Sequence, residues 1–132
     1  MPDVALTPYA EALGIVATGE EAGAPIVALE FAANVEGRPG ALHGGAIGGL
    51  LETAAYVALR AEMARQSRDQ PLKPINITVQ YLSPGLMQRT CAVGRVVRLG
   101  RRTANVSVEA WQDARDKPIA SALMNILVAD PR

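Results

Sequence analysis

The chain contains one histidine, His43, and the segment after it is unusual in residue type and spacing. Gly44, Gly45, Gly48 and Gly49 crowd the next six positions, and Glu52 stands nine residues beyond the histidine. With one imidazole and one cysteine, Cys91, a structural zinc site built from Cys and His is excluded by counting. A Ser-His-Asp arrangement would have to use His43 and no other ring. The chemistry open to this sequence runs on carboxylates, backbone donors and that one imidazole.

From Gly44 to about Arg65 the spacing is helical and proline is absent, which predicts the one long helix. Each interior glycine costs such a helix up to about 1 kcal/mol relative to alanine. Its backbone must therefore approach something closely: the sheet, a partner chain or a ligand. Tight packing on the sheet is the plain alternative to a site. The helix N-terminus also offers unpaired N–H groups and a positive dipole end, suited to an anion or a developing oxyanion. Glu52 is the only charged residue between Gly44 and Leu59, and helical spacing puts it on a face with Gly45, Gly48, Gly49, Ala55 and Tyr56. It is either solvated at the wet edge of the helix or held there as a general base. At 1.5 Å per residue Gly44 and Glu52 lie about 12 Å apart. They cannot both act on one carbonyl from one chain, so a site using both needs a symmetric dimer.

Other elements must hold this helix in place. Thr7 and Pro8 predict an N-capped short helix over Thr7–Leu13. Ala24–Phe31 reads as a strand, and the glycines and proline of Val35–Leu42 make that run a loop. Ser67–Pro74, polar and with two prolines, ends the long helix. Ile75, Ile77, Val79 and Tyr81 alternate with Asn76, Thr78 and Gln80, a strand period. Ser83-Pro84-Gly85 turns the chain, and strands come next over Thr90–Leu99, Ala104–Ala110 and Pro118–Val128, separated by turns at Gly100 and Asp113–Lys117. Consecutive strands with short turns predict an antiparallel meander, covered on its apolar face by the helix. The predicted class is α+β.

Composition sets the outer limits. The 132 residues are 49% hydrophobic and carry 13 basic against 13 acidic side chains, which fits a single domain over residues 1–132. No Lys/Arg-rich run marks a nucleic-acid or membrane-surface partner. No uncharged stretch approaches the ~20 apolar residues of a membrane span. The first residues lack a basic and then apolar leader, and one cysteine fits a reducing compartment, so a cytoplasmic location is expected.

The string Leu42–Glu52, LHGGAIGGLLE, resembles the HGG signature of hotdog-fold acyl-CoA thioesterases of the 4-hydroxybenzoyl-CoA thioesterase superfamily, most nearly the phenylacetate-pathway, PaaI-like branch. That family's loop reads G-x-x-H-G-G with an Asp or Glu nine residues after the His; Gly40, His43 and Glu52 meet both spacings. Ile75–Pro84 resembles its first long strand and closing turn, Val96–Ala104 its hairpin and Pro118–Ala122 its last strand. The likeness spans about Ala24–Ala129, in order.

The resemblance implies a long helix wrapped by an antiparallel sheet, with dimers that assemble further into tetramers. It implies acyl-CoA hydrolysis at the dimer interface with no cofactor or metal beyond the CoA of the substrate. The Gly44 N–H would polarise the thioester carbonyl; Glu52 would attack it or activate a water. His43 would border the site or orient the loop, with a plain helix cap as the alternative. Gly45, Thr53, Tyr56, Asn76 and Ser83 join the substrate-binding set. Arg98, Arg101 and Arg102 would meet the CoA nucleotide, their alternative being a solvated hairpin tip.

Two positions depart from the family pattern: Gly37 stands where many members carry Asn or Gln, and Pro74 where many carry Ser or Thr. Asn76, Thr53 and Tyr56 are the candidates to replace them. Cys91 and Trp111 read as packing residues. A non-catalytic acyl-CoA-binding protein and a hotdog hydratase are the competing functions.

Overall fold

In the computed structural model, which describes residues 4–130, the long helix is α2, Gly44–Arg65, bounded as its spacing predicts. Before it come α1, Pro8–Ala12, and two strands, β1 at Ile15–Glu21 and β2 at Ala24–Leu29; after it come β3 at Leu72–Tyr81, β4 at Thr90–Leu99, β5 at Thr103–Trp111 and β6 at Ala120–Val128. Thr7 caps α1 as expected, its hydroxyl accepting from the Ala10 N–H at 3.1 Å.

All six strands form one antiparallel sheet in the order β1-β2-β4-β5-β6-β3. This corrects the predicted meander in two ways. β1 is an additional strand, hidden because Thr18, Gly19 and Glu20 interrupt its apolar pattern and a bulge falls between Ala17 and Gly19. Only β4-β5-β6 is a true meander. β3 does not pair with its successor but crosses to the far edge and pairs with β6, from Leu72↔Val128 to Tyr81↔Ala120. Residues Leu82 to Arg89, between β3 and β4, are tied elsewhere: the Leu82 and Ser83 N–H groups donate to Ile119 C=O at 2.8 and 3.0 Å.

Sheet alternation decides which residues meet α2. Ala104, Val106, Val108 and Ala110 of β5, with Ala120, Ala122, Met124 and Ile126 of β6, are buried on the inner face. Against them α2 places Leu50, Leu51, Leu59 and Met63, none with measurable exposure, each worth roughly 1.5–3 kcal/mol of burial. On the outer face Cys91 stands opposite Trp111, and the Arg115 guanidinium lies 4.6 Å from the Trp111 ring. Both are packing positions, as expected.

Gly94 sets the distance between β4 and α2. A Cβ there would lie 2.8 Å from the Ala54 carbonyl oxygen and 2.9 Å from the Ala58 Cβ, on a helix that cannot yield locally. Gly94→Ala should therefore lower stability by about 1–3 kcal/mol by overpacking, read as a lower urea midpoint with unchanged slope. An unchanged midpoint would mean that the helix rides freely over this strand.

Candidate active site

The loop before α2 closes on itself and fixes the helix start. Its Glu36 pairs with Leu42 as an isolated bridge, the Gly40 N–H donates to the Glu36 carboxylate at 3.0 Å, and Gly40 takes a left-handed φ of +82°. Leu42 N–H is held by Gly85 C=O at 3.0 Å and His43 N–H by Val35 C=O at 2.8 Å. A Cβ on Gly37 would fall 2.9 Å from the His43 Cα. The loop packs so tightly here that a side chain at position 37 would have to displace the His43 backbone.

His43 is the N-cap of α2. Its Nδ1 accepts from the Gly45 N–H at 2.8 Å, while its carbonyl takes the N–H groups of Ala46 and Ile47 at 3.0 and 3.1 Å. Among the described residues the Gly44 N–H alone in this turn has no acceptor. Gly44 lines an open cleft of about 800 Å³ with His43, Arg38, Tyr81 and Ser83.

The four glycines separate into two kinds. A Cβ on Gly45 would meet His43 Nδ1 at 2.9 Å, and one on Gly49 would meet Leu13 at 2.9 Å and Tyr9 at 3.2 Å. Packing within the chain explains both. Gly44 and Gly48 have room, with nothing nearer than 3.5 and 3.8 Å, so packing within the chain does not require glycine at either position. Gly44, Gly48 and Glu52 form an i, i+4, i+8 row along the helix.

Glu52 is half-buried in a separate small recess, lined by Tyr9, Gly49, Thr53 and Tyr56 among others. Among the described residues its carboxylate has neither a hydrogen-bond nor an ion-pair partner. Burial pushes the Tyr56 phenol above its usual range, and the nearby Glu52 charge adds to the shift. Thr53 spends its hydroxyl on the Gly49 carbonyl at 2.8 Å.

The predicted site residues thus fall into five groups. His43, Gly44 and Ser83 share the cleft; Glu52, Thr53 and Tyr56 share the recess. Gly45 has its N–H committed to the cap. Asn76 is in neither place: its side-chain oxygen accepts from Asn125 at 2.7 Å, and Asn125 in turn accepts from Asn105, a ladder across the outer face of β3, β6 and β5. The bulge beside it, between Pro74 and Asn76, lies in the edge strand.

Arg101 and Arg102 sit at the far end of α2, where Arg68 donates to the carbonyls of Gly100 and Arg101. Because α2 is 22 residues long, that end is about 30 Å from the cleft. Arg98, Arg101 and Arg102 cannot reach a ligand in the cleft of their own chain.

Among the cleft residues outside the predicted set, one bonds to the helix start itself. Tyr81 donates its hydroxyl hydrogen to the Gly44 carbonyl at 2.9 Å and lies over Gly44 and Gly48. The sequence places it at the end of the alternating strand and in the closing turn that resembles the family's, but gives it no role in the site.

Residues 39–119, which contain the helix start, Glu52 and the turn at Ser83, match the model of the thioesterase superfamily. The chain belongs to that superfamily. Its fold is the hotdog, one long helix on a six-stranded antiparallel sheet, and its reaction class is thioester hydrolysis. A solved protein from Chromobacterium violaceum is 34% identical to this thioesterase-superfamily chain, over 95% of this chain and 85% of its own, with a TM-score of 0.71. A mutant of the phenylacetic acid degradation protein PaaI from Thermus thermophilus is 27% identical, over 93% and 100%, with a TM-score of 0.78. A protein from Bacillus halodurans solved with CoA shares the fold, at 22% identity, 96% and 82% coverage and a TM-score of 0.78. No curated protein matches this superfamily member by sequence. Among its described residues no helix is long and apolar enough to cross a membrane.

Proposed function

We propose that the protein hydrolyses small or medium acyl-CoA thioesters, aromatic acyl groups included, to the free acid and CoA, at a site shared between two chains. The observation that carries this is the pairing of two unsatisfied groups. The Gly44 N–H is a free donor at a helix N-terminus, on a residue that lines a cleft, where a developing oxyanion is best held. The Glu52 carboxylate is a free acceptor about 12 Å along the same helix, in another recess. Each supplies what the other lacks, and only a second copy of the chain can bring them together.

The sheet offers a means of assembly. β3 is a ten-residue edge strand, largely exposed, and Ile75, Tyr81 and Leu82 on or beside it are each more than half exposed. An edge that long and apolar is a ready template for a second copy. Pairing there forms a dimer in which each chain's α2 contributes to both sites, and the sheet and helix faces left free stack dimers into tetramers. In this arrangement the Gly44 N–H polarises the thioester carbonyl, and Glu52 of the other chain attacks the carbonyl carbon or takes a proton from the attacking water. Collapse of the tetrahedral intermediate breaks the C–S bond and releases CoA as thiolate. Where Glu52 is the nucleophile the acyl group stays on it as a mixed anhydride, which water hydrolyses to the free acid and the restored carboxylate. Neither route needs a cofactor or metal. Guanidinium groups that meet the nucleotide phosphates, from Arg98, Arg101 and Arg102, must then come from the partner subunit. Nothing in this chemistry requires a membrane or a nucleic acid, and it fits a cytoplasmic protein.

The test is a panel of short-chain, medium-chain and aromatic acyl-CoAs with detection of free thiol. Thiol release from at least one of them, at a rate proportional to enzyme, is the expected result. Hydration of an enoyl thioester without thiol release would replace this reading with a hydratase. Calorimetric binding of CoA with every thioester intact would replace it with a binding protein.

A further inference from the structure

We propose that Tyr81 is a positioning residue of this site: its hydroxyl locks the turn that opens α2 and, through the Gly44–Gly45 peptide, holds His43 as the Nε2–H tautomer. The inference rests on the thioesterase reading for its kinetic consequence alone. Its structural half stands without it.

Two hydrogen bonds meet on one peptide group. The Tyr81 O–H donates to the Gly44 carbonyl at 2.9 Å, and the N–H at the other end of that peptide, on Gly45, donates to His43 Nδ1 at 2.8 Å. A donor on the carbonyl polarises the peptide and strengthens its N–H, so each bond reinforces the other. A ring nitrogen that accepts a hydrogen bond carries no proton, which leaves the proton of neutral His43 on Nε2. The ring is exposed, it lines the cleft, and among the described residues its Nε2 has no partner.

Within its own chain Tyr81 is 57% exposed, so burial of its ring there does not account for where it lies. Its ring and hydroxyl come from the last residue of β3 to rest on Gly44. Backbone ties hold both sides of the reach: Leu82 and Ser83 to Ile119, and Leu42 to Gly85. A side chain so anchored restrains the peptide whose neighbour, the His43–Gly44 peptide, carries the free N–H.

The chemical consequence concerns the division of labour. A neutral His43 locked with its proton on Nε2 is a donor toward the cleft and cannot accept a proton there. It stands as a second N–H donor at the rim where Gly44 presents the first, and proton abstraction is left to the carboxylate.

The sequence makes the test clean, because one histidine gives one imidazole in a nitrogen-correlated proton NMR spectrum. At alkaline pH the wild-type protein should show Nδ1 bare and Nε2 protonated. Tyr81→Phe, which keeps the ring and removes only the hydroxyl, should shift that spectrum toward a tautomer mixture. It should also lower kcat by about fivefold, the worth of one neutral hydrogen bond, with KM unchanged. A wild-type spectrum with the proton on Nδ1 would overturn the proposal. So would a Tyr81→Phe protein with the wild-type spectrum or the wild-type kcat. If no acyl-CoA is hydrolysed at all, the proposed function fails, while the NMR result still decides whether Tyr81 sets the tautomer.

Discussion

Glu52→Gln should lower kcat by about a thousandfold, the range expected when a nucleophile or general base is removed, with KM and Tm close to those of the wild type. The three parts of that result have separate causes. The loss in kcat arises because glutamine keeps the size of the side chain but can neither attack a carbonyl nor take a proton. KM holds because the carboxylate is used as the reaction proceeds and not to hold the thioester. Tm holds because the half-buried carboxylate has no hydrogen-bond or ion-pair partner among the described residues, so no bond is broken. A solvated glutamate at the wet edge of a helix would give equal activity in both proteins. That outcome would remove Glu52 from the mechanism. The variant should also retain substrate with its thioester intact, which separates a lost chemical step from a lost binding site.

Why Glu52 is visible in the sequence and Tyr81 is not comes down to the range of the interactions involved. Glu52, the glycines and His43 lie on one continuous segment, and a proline-free helical period fixes their relative placement to within a turn. The cap is equally local: His43 and Gly45 are two residues apart. Tyr81 meets Gly44 across 37 residues of chain, by way of a strand whose partner is itself distant. Alternation announces β3 as a strand but is silent on its neighbours, since period two gives a face and no pairing. For the same reason the meander is the natural expectation, and the crossing of β3 to the edge beside β6 is hidden. The misplacement of Asn76 has the same root. Alternation puts Asn76 opposite Ile77 and Val79, which pack against the core, so Asn76 points away from it and bonds Asn125 on the outer face. The arginines are a parallel case: a hairpin tip is readable at Gly100, but the end of the helix it meets is a fact of tertiary structure. Gly37 is legible only as an anomaly, and its close packing on the His43 backbone is something no local pattern encodes.

Gly44→Pro is the most specific change available to the other half of the site, because it deletes the N–H and little else. Gly44 is the first helical residue, the position where proline is favoured and where its missing N–H breaks no helical bond. His43 before it is already extended, at φ −64° and ψ 132°, as a residue preceding proline must be. A Cβ at position 44 makes ordinary contacts with Tyr81 at 3.5–3.6 Å. The variant should therefore fold with a Tm near wild type and lose kcat by about 10²–10³-fold, as when one oxyanion donor is removed. Undiminished kcat would mean that the carbonyl is polarised elsewhere. Two inactive proteins then test the shared site directly. When Glu52→Gln and Gly44→Pro chains are unfolded together and refolded at equal ratio, half the dimers are mixed, and each mixed dimer holds one site with both groups intact. Activity should return to about a quarter of wild type, half the dimers with half their sites. If both groups served one site within a single chain, every site in the mixture would lack one of them and no activity would return.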